Sequence, residues 1–125
     1  MNGYLISAQD QPGFAARLFG AAQKRGVNIF PAYGLSDGER ALVLVGSNDE
    51  AGLEAAIEDA GLSATPLEMV VTRLSNTPGT GAELFSRLAA AGINLLAAVP
   101  VGMEGDSITV ALAATDAAAL KAAVG

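Results

Sequence analysis

Apolar and polar positions follow one another along the chain in a way that predicts short strands and helices in alternation. Residues 4–9, Tyr4-Leu5-Ile6-Ser7-Ala8-Gln9, form an apolar run with partial alternation, as a strand does. Asp10-Gln11-Pro12-Gly13 follows, and an Asp or Gln cap with a proline in the first turn predicts a helix start. Over residues 14–25, Ala15, Leu18, Phe19 and Ala22 recur at helical spacing. Lys24 and Arg25 suit the negative end of that helix, and Gly26 suits a left-handed stop. Residues 28–35 read as a second strand, Asp37-Gly38 as a hairpin turn, and residues 40–46 as the returning strand. Asn48 or Asp49 is placed to cap a second helix, with Leu53, Ala56, Ile57 and Ala60 on one face and Gly61 at its end.

The same pattern then returns. Pro12-Gly13 recurs as Pro78-Gly79, an offset of 66 (78 minus 12), which also carries Ala16 onto Ala82, Leu18-Phe19 onto Leu84-Phe85, and Gly26 onto Gly92. Asn28 falls on Asn94, inside Gly26-Val27-Asn28-Ile29 and Gly92-Ile93-Asn94-Leu95. One inserted residue later, the offset becomes 67 and carries Asp49 onto Asp116 and Leu53 onto Leu120. The chain is an internal duplication. The second copy is expected to run from a strand near residues 69–74 through a helix over 79–91. Strands near 94–101 and 107–113 follow, then a helix from 116 to the end.

Each copy reads strand–helix–strand–strand–helix. Right-handed crossovers place both helices on one face of a sheet, which is the split βαβ, or ferredoxin-like, arrangement. The fold expectation is therefore α+β: βαββαβ repeated twice, an antiparallel sheet with helices on one face, in units 1–66 and 67–125. Residues 62–75 must close the first unit and open the second, either as two short strands or as one long shared strand. Pro66 either breaks that segment or occupies an edge position that needs no donor. The second copy is expected to lack its closing strand, and the resulting open edge points to a homodimer or a tightly intergrown pair of units.

Composition narrows the chemistry. The 125 residues are 51% hydrophobic and 16% charged, contain no Trp, and form a chain expected to fold around small aliphatic side chains. Zero Cys excludes disulfides, thiolate metal sites and cysteine nucleophiles, and zero His excludes Ser–His and Cys–His pairs. Seven basic against thirteen acidic residues leave a net charge of -6, which argues against a nucleic-acid partner. No apolar run is long enough to span a membrane, and the start lacks the features of a signal peptide, so a cytoplasmic location is expected. Gly102-Met103-Glu104-Gly105-Asp106 reads as a solvated acidic hairpin turn.

Asp10-Gln11-Pro12-Gly13, an Ala/Leu-rich helix and Gly26-Val27-Asn28-Ile29 together resemble the ACT domain, a regulatory amino-acid-binding module. Asn76-Thr77-Pro78-Gly79 with Gly92-Ile93-Asn94-Leu95 resembles it equally, so the copies together look like the small stand-alone tandem ACT proteins. The resemblance implies units that pair side by side, with an amino-acid ligand at the interface between units. It points to Asp10, Gln11, Gly13, Asn28 and Ile29 in the first copy, and to Asn76, Thr77, Gly79, Asn94 and Leu95 in the second. Val27, Phe30, Leu95 and Leu96 are candidates to line the side-chain pocket.

The chemistry of those residue types fits a zwitterion. A helix N-terminus offers free backbone N–H groups to a carboxylate, glycine allows close approach, and asparagine both donates and accepts. A purely structural reading stands beside it. Pro-Gly also starts ordinary helices, and an Asn after a helix stop can sit in the left-handed or bridging region and bond locally. Gly81 stands where the first copy has Ala15, and Gly20 is also unexpected within a helix. Either glycine suits a close helix approach, and Gly81 suits a pocket held open.

The expected function is thus an amino-acid-sensing regulatory protein, not an enzyme, with no cofactor and no metal. Its expected partners are a free amino acid or similar small zwitterion and a second copy of itself. The alternative is a ligand-independent interaction module that regulates an enzyme of amino-acid metabolism in trans.

Overall fold

The computed structural model describes residues 1–124; Gly125, the last position of the expected final helix, lies outside the described residues. The elements are β1 (Asn2–Gln9), α1 (Phe14–Lys24), β2 (Ala32–Ser36), β3 (Arg40–Val45), α2 (Glu50–Asp59), β4 (Ala64–Glu68), β5 (Val70–Ser75), α3 (Thr80–Ala90), β6 (Leu95–Glu104), β7 (Ser107–Ala114) and α4 (Ala117–Val124). They form two compact units, one of Asn2–Leu67, the other of Met1 with Glu68 onward. Met1 joins the latter through a bond from the Met69 N–H to its carbonyl, 2.9 Å.

In the amino-terminal unit the strand order is β2-β3-β1-β4, with β3 antiparallel to both β1 and β2. Alternation along the strands decides what faces the helices. Tyr4 and Ile6 of β1 lie across from Val45 and Val43 of β3, on one face. There they pack with Phe14, Leu18 and Ala22 of α1 and with Leu53, Ala56 and Ile57 of α2. The buried stripe of α1 is rotated from the expected one: Phe14 takes the inner position, Ala15 is exposed, and Phe19 is 45% exposed. Proline and glycine before Phe14 bring the chain in so that the first helical residue already points to the sheet.

The carboxy-terminal unit has a three-stranded antiparallel sheet among the described residues, in the order β5-β7-β6. Val70 and Leu112 face each other across it and pack with Leu84 and Leu88 of α3 and Leu120 of α4. The two units therefore repeat one design, an α+β fold with both helices on one face of an antiparallel sheet.

The link between copies takes the two-strand alternative: β4 ends at Glu68, β5 begins at Val70, and Pro66 sits on the edge strand β4. Several other local expectations change. β2 begins at Ala32, not at residue 28. Phe30 donates to Gly46 O and Gly46 donates to Pro31 O, both at 2.9 Å, so two residues oppose one as in a bulge. Pro31 has no N–H with which to carry the ladder further. The repeat has its own register shift at the matching place, between Leu95 and Ala97, but Ala97 keeps its N–H and β6 starts at Leu95. The acidic turn is also shorter than expected, because β6 runs on to Glu104 and only Gly105-Asp106 turn. Gly20 and Gly81 show no close approach: a methyl at Gly20 would meet nothing within 4 Å, and one at Gly81 only the Phe85 ring at 4.0 Å.

Candidate functional site

Gly13 and Gly79, not the preceding Asp or Gln, occupy the N-cap positions of α1 and α3. Both are left-handed, with φ of 89° and 95°, a conformation that costs an L side chain roughly 1–2 kcal/mol. Neither cap receives a side-chain hydrogen bond. The first intrahelical bond of α1 runs from Arg17 N–H to Gly13 O at 2.9 Å, so the amides of Phe14, Ala15 and Ala16 precede the ladder. No acidic residue stands in the first turn of α1, whereas α3 carries Glu83 there. The positive end of α1 is thus the less compensated of the two.

That terminus borders a cleft of about 320 Å³ lined by Asp10, Gln11, Gly13, Phe14, Leu35 and Ser36, among others. Asp10 does not cap the helix. Its carboxylate accepts from the Ser36 hydroxyl at 2.7 Å, and its N–H donates to Glu39 O at 2.8 Å. Ser36 also accepts from Gly38 N–H at 2.9 Å, so one hydroxyl ties the hairpin turn to the β1–α1 loop. Within that turn, the backbone N–H groups of Arg40 and Glu39 hold the Asp37 carboxyl below the usual range. Gln11 is exposed beside this arrangement.

Asn28 and Ile29 lie elsewhere, in a separate cleft of about 390 Å³ with Phe19, Gln23 and Gly26. The 11 residues of α1 separate the two groups, and at 1.5 Å per residue that is about 16 Å. Asn28 is exposed and does not adopt positive φ, so the left-handed reading fails for it and for Asn94. Its carbonyl accepts from the Ser47 hydroxyl at 2.7 Å. Ile29 is half-buried against the core.

The second copy repeats the separation, with Asn76, Thr77 and Gly79 before the 11 residues of α3 and Asn94 and Leu95 after them. The Asn76 N–H donates to Asp106 O at 2.6 Å, and the Thr80 hydroxyl donates to Ser75 O and Thr77 O at 2.7 and 3.1 Å. Leu95 is half-buried and packs on the core. Of the candidate lining residues, Val27 is a core residue, while Phe30 and Leu96 are 62% and 46% exposed. Gly34, Leu35 and Ser36 were not among the sequence-based candidates, although they line the α1 cleft. The hairpin turn was legible, but not its reach back to Asp10.

No protein-family profile matches the sequence, and no curated protein matches it. Solved structures do. A protein of Bacteroides thetaiotaomicron aligns with a TM-score of 0.80 at 13% identity, over 98% of this chain and 84% of that one. The ligand-free regulatory subunit of aspartate kinase from Thermus thermophilus aligns at 0.65 and 24% identity, over 98% of this chain and 88% of that subunit. The fold is a tandem ACT-like fold. Aspartate kinase of Clostridium acetobutylicum aligns at 0.66 and 16% identity, with this ACT-like chain spanning 31% of its length. Among the described residues no helix is long and apolar enough to cross a membrane, and no group of three or more acidic residues is placed to hold a metal ion.

Proposed function

We propose that this chain is an amino-acid-binding regulatory protein of the cytoplasm without catalysis of its own, built from ACT-like domains 1–66 and 67–125. The observation that carries the reading is the uncapped N-terminus of α1 opening beside the Asp10 carboxylate. Free backbone amides suit an α-carboxylate, and Asp10 suits the ammonium, so both ends of a zwitterion find a partner. Gln11 and Gly13 complete that set; Asn76, Thr77 and Gly79 form its counterpart in the second copy. Asn28 with Ile29, and Asn94 with Leu95, contribute from the far ends of their helices. Because a helix length separates the two sets, a ligand touching both bridges two ACT-like units, which assigns a role to a homodimer. The likeness to aspartate kinase regulatory subunits supports the regulatory part of this reading.

Calorimetric titration of the folded, full-length protein with each of the twenty amino acids tests the proposal. Saturable heat with one or a few of them is expected, with dissociation constants between about 1 μM and 1 mM. A flat response to all twenty would overturn amino-acid sensing and leave the ligand-independent interaction module as the reading of this fold.

A further inference from the structure

Ser47 is buried, 3% exposed, at the junction of β3 and α2. Its hydroxyl donates to the Asn28 carbonyl at 2.7 Å and accepts from the Asp49 N–H at 3.1 Å. Asp49 in turn caps α2, accepting from Gly52 N–H at 2.9 Å. One hydroxyl therefore links the loop after α1 to the start of α2, donating to one and accepting from the other.

The repeat shows what this hydroxyl replaces. The offset of 67 that superposes Val45 on Leu112 places Ser47 on Ala114, and the offset of 66 that holds earlier in the copy places Asn28 on Asn94. Ala114 has no hydroxyl, and it has no need of one: it pairs with Leu95 in the β6–β7 ladder, next to Asn94. The first copy lacks that pairing, because Pro31 interrupts the ladder and β2 begins only at Ala32. Residues 28–30 are then held by the bond of Phe30 to Gly46 and by the Ser47 hydroxyl.

We propose that Ser47 is the positioning residue of Asn28, a hydroxyl latch that fixes this segment where the second copy uses the strand ladder. The consequence for binding rests on the reading that Asn28 contacts the ligand; the latch itself does not. Removing the hydroxyl frees Asn28 while leaving Asn94 unaffected, so the two copies respond differently to one substitution.

Backbone amide relaxation by NMR on the full-length, ligand-free protein tests the latch. In Ser47→Ala, the order parameters of Asn28 and Ile29 are expected to fall from about 0.85 toward 0.6, with Asn94 unchanged. Ser47→Thr, which keeps the hydroxyl, is expected to restore them. Unchanged order at Asn28 in a folded Ser47→Ala protein overturns the proposal, as does an equal loss at Asn94. Should Ser47→Ala not fold, Ser47→Cys fills the same space with a weaker donor and gives the same readout. In calorimetry, an amino acid that binds the parent protein is expected to bind Ser47→Ala roughly tenfold more weakly. Equal affinity despite a mobile Asn28 overturns the link to binding. Absence of any amino-acid binding to the parent overturns the proposed function instead, and the relaxation result then decides the latch alone.

Discussion

Tyr4 is 2% exposed, with its hydroxyl donating to Glu54 Oε1 at 2.7 Å. Burial first, and the neighbouring Glu54 carboxylate second, push its pKa up to about 12. In the unfolded chain a tyrosine ionises near 10, so between about 10 and 12 the folded protein binds more protons than the unfolded one. The stabilisation is fully present below pH 10 and lost as pH rises through the folded value. Thermal melts are expected to show an alkaline decline that is shallower in Tyr4→Phe, at a cost near pH 7 of about 0.5–1.5 kcal/mol for the lost bond. An identical alkaline decline in both proteins would assign it to other groups. At Gly13 and Gly79 the requirement is backbone conformation, since an added methyl meets nothing within 4 Å at either. Alanine at either is therefore expected to cost about 1–2 kcal/mol in chemical denaturation. Both glycines were legible from the repeated Pro-Gly. Ser36 and Ser47 were not, because their partners Asp10 and Asn28 lie 26 and 19 positions away and only the tertiary fold brings them together.

Two helical glycines with the same intrinsic propensity are expected to respond with opposite signs. Gly20 lies within α1 with open space where a methyl would go, so Gly20→Ala is expected to stabilise by about 0.5–1 kcal/mol. Gly52 lies in the first turn of α2, where a methyl would land on the Asp49 carboxylate and 2.7 Å from Val27 Cγ2. Gly52→Ala must therefore displace the cap or the buried Val27, and losing the cap alone costs about 1 kcal/mol. Urea midpoints of the two variants on either side of the parent value bear this out; two shifts of the same sign would contradict it. The order of elements was legible because helix punctuation and the repeat agree: Gly26 and Gly61 both adopt the left-handed conformation after their helices. Less legible was the rotation of α1 about its axis. Ala15 and Phe19 share a helical stripe with Leu18 and Ala22, and so do Phe14 and Ala21; the stripe alone does not say which side meets the sheet. The start of β2 was misplaced because an apolar run continues through Phe30 and Pro31, while hydrogen-bonded pairing in register begins only beyond the proline.

At the scale of the molecule, duplication carries most of what the sequence reveals, since one pattern read twice separates design from coincidence. Composition excluded cysteine and histidine chemistry but left the proposed site to backbone amides, a carboxylate and two asparagines, which no short motif specifies. The geometry adds a constraint. With about 16 Å of helix between the Asp10 and Asn28 groups, one small zwitterion cannot reach both within a unit. On the proposed function ligand and association are linked: an amino acid bridging two units would tighten a dimer by the same factor by which the dimer tightens the amino acid. Sedimentation at increasing concentrations of the amino acid found by calorimetry is expected to show the dimer persisting to lower protein concentration. At a hundredfold excess over its dissociation constant, that ligand stabilises by about 2.7 kcal/mol, or roughly 10 °C in midpoint for a chain of this size. Asp10→Asn and Asn28→Ala sit on opposite sides of the proposed bridge, so each is expected to weaken both binding and association. An amino acid that binds a monomer, with an affinity indifferent to protein concentration, would show instead that each end of the helix acts alone.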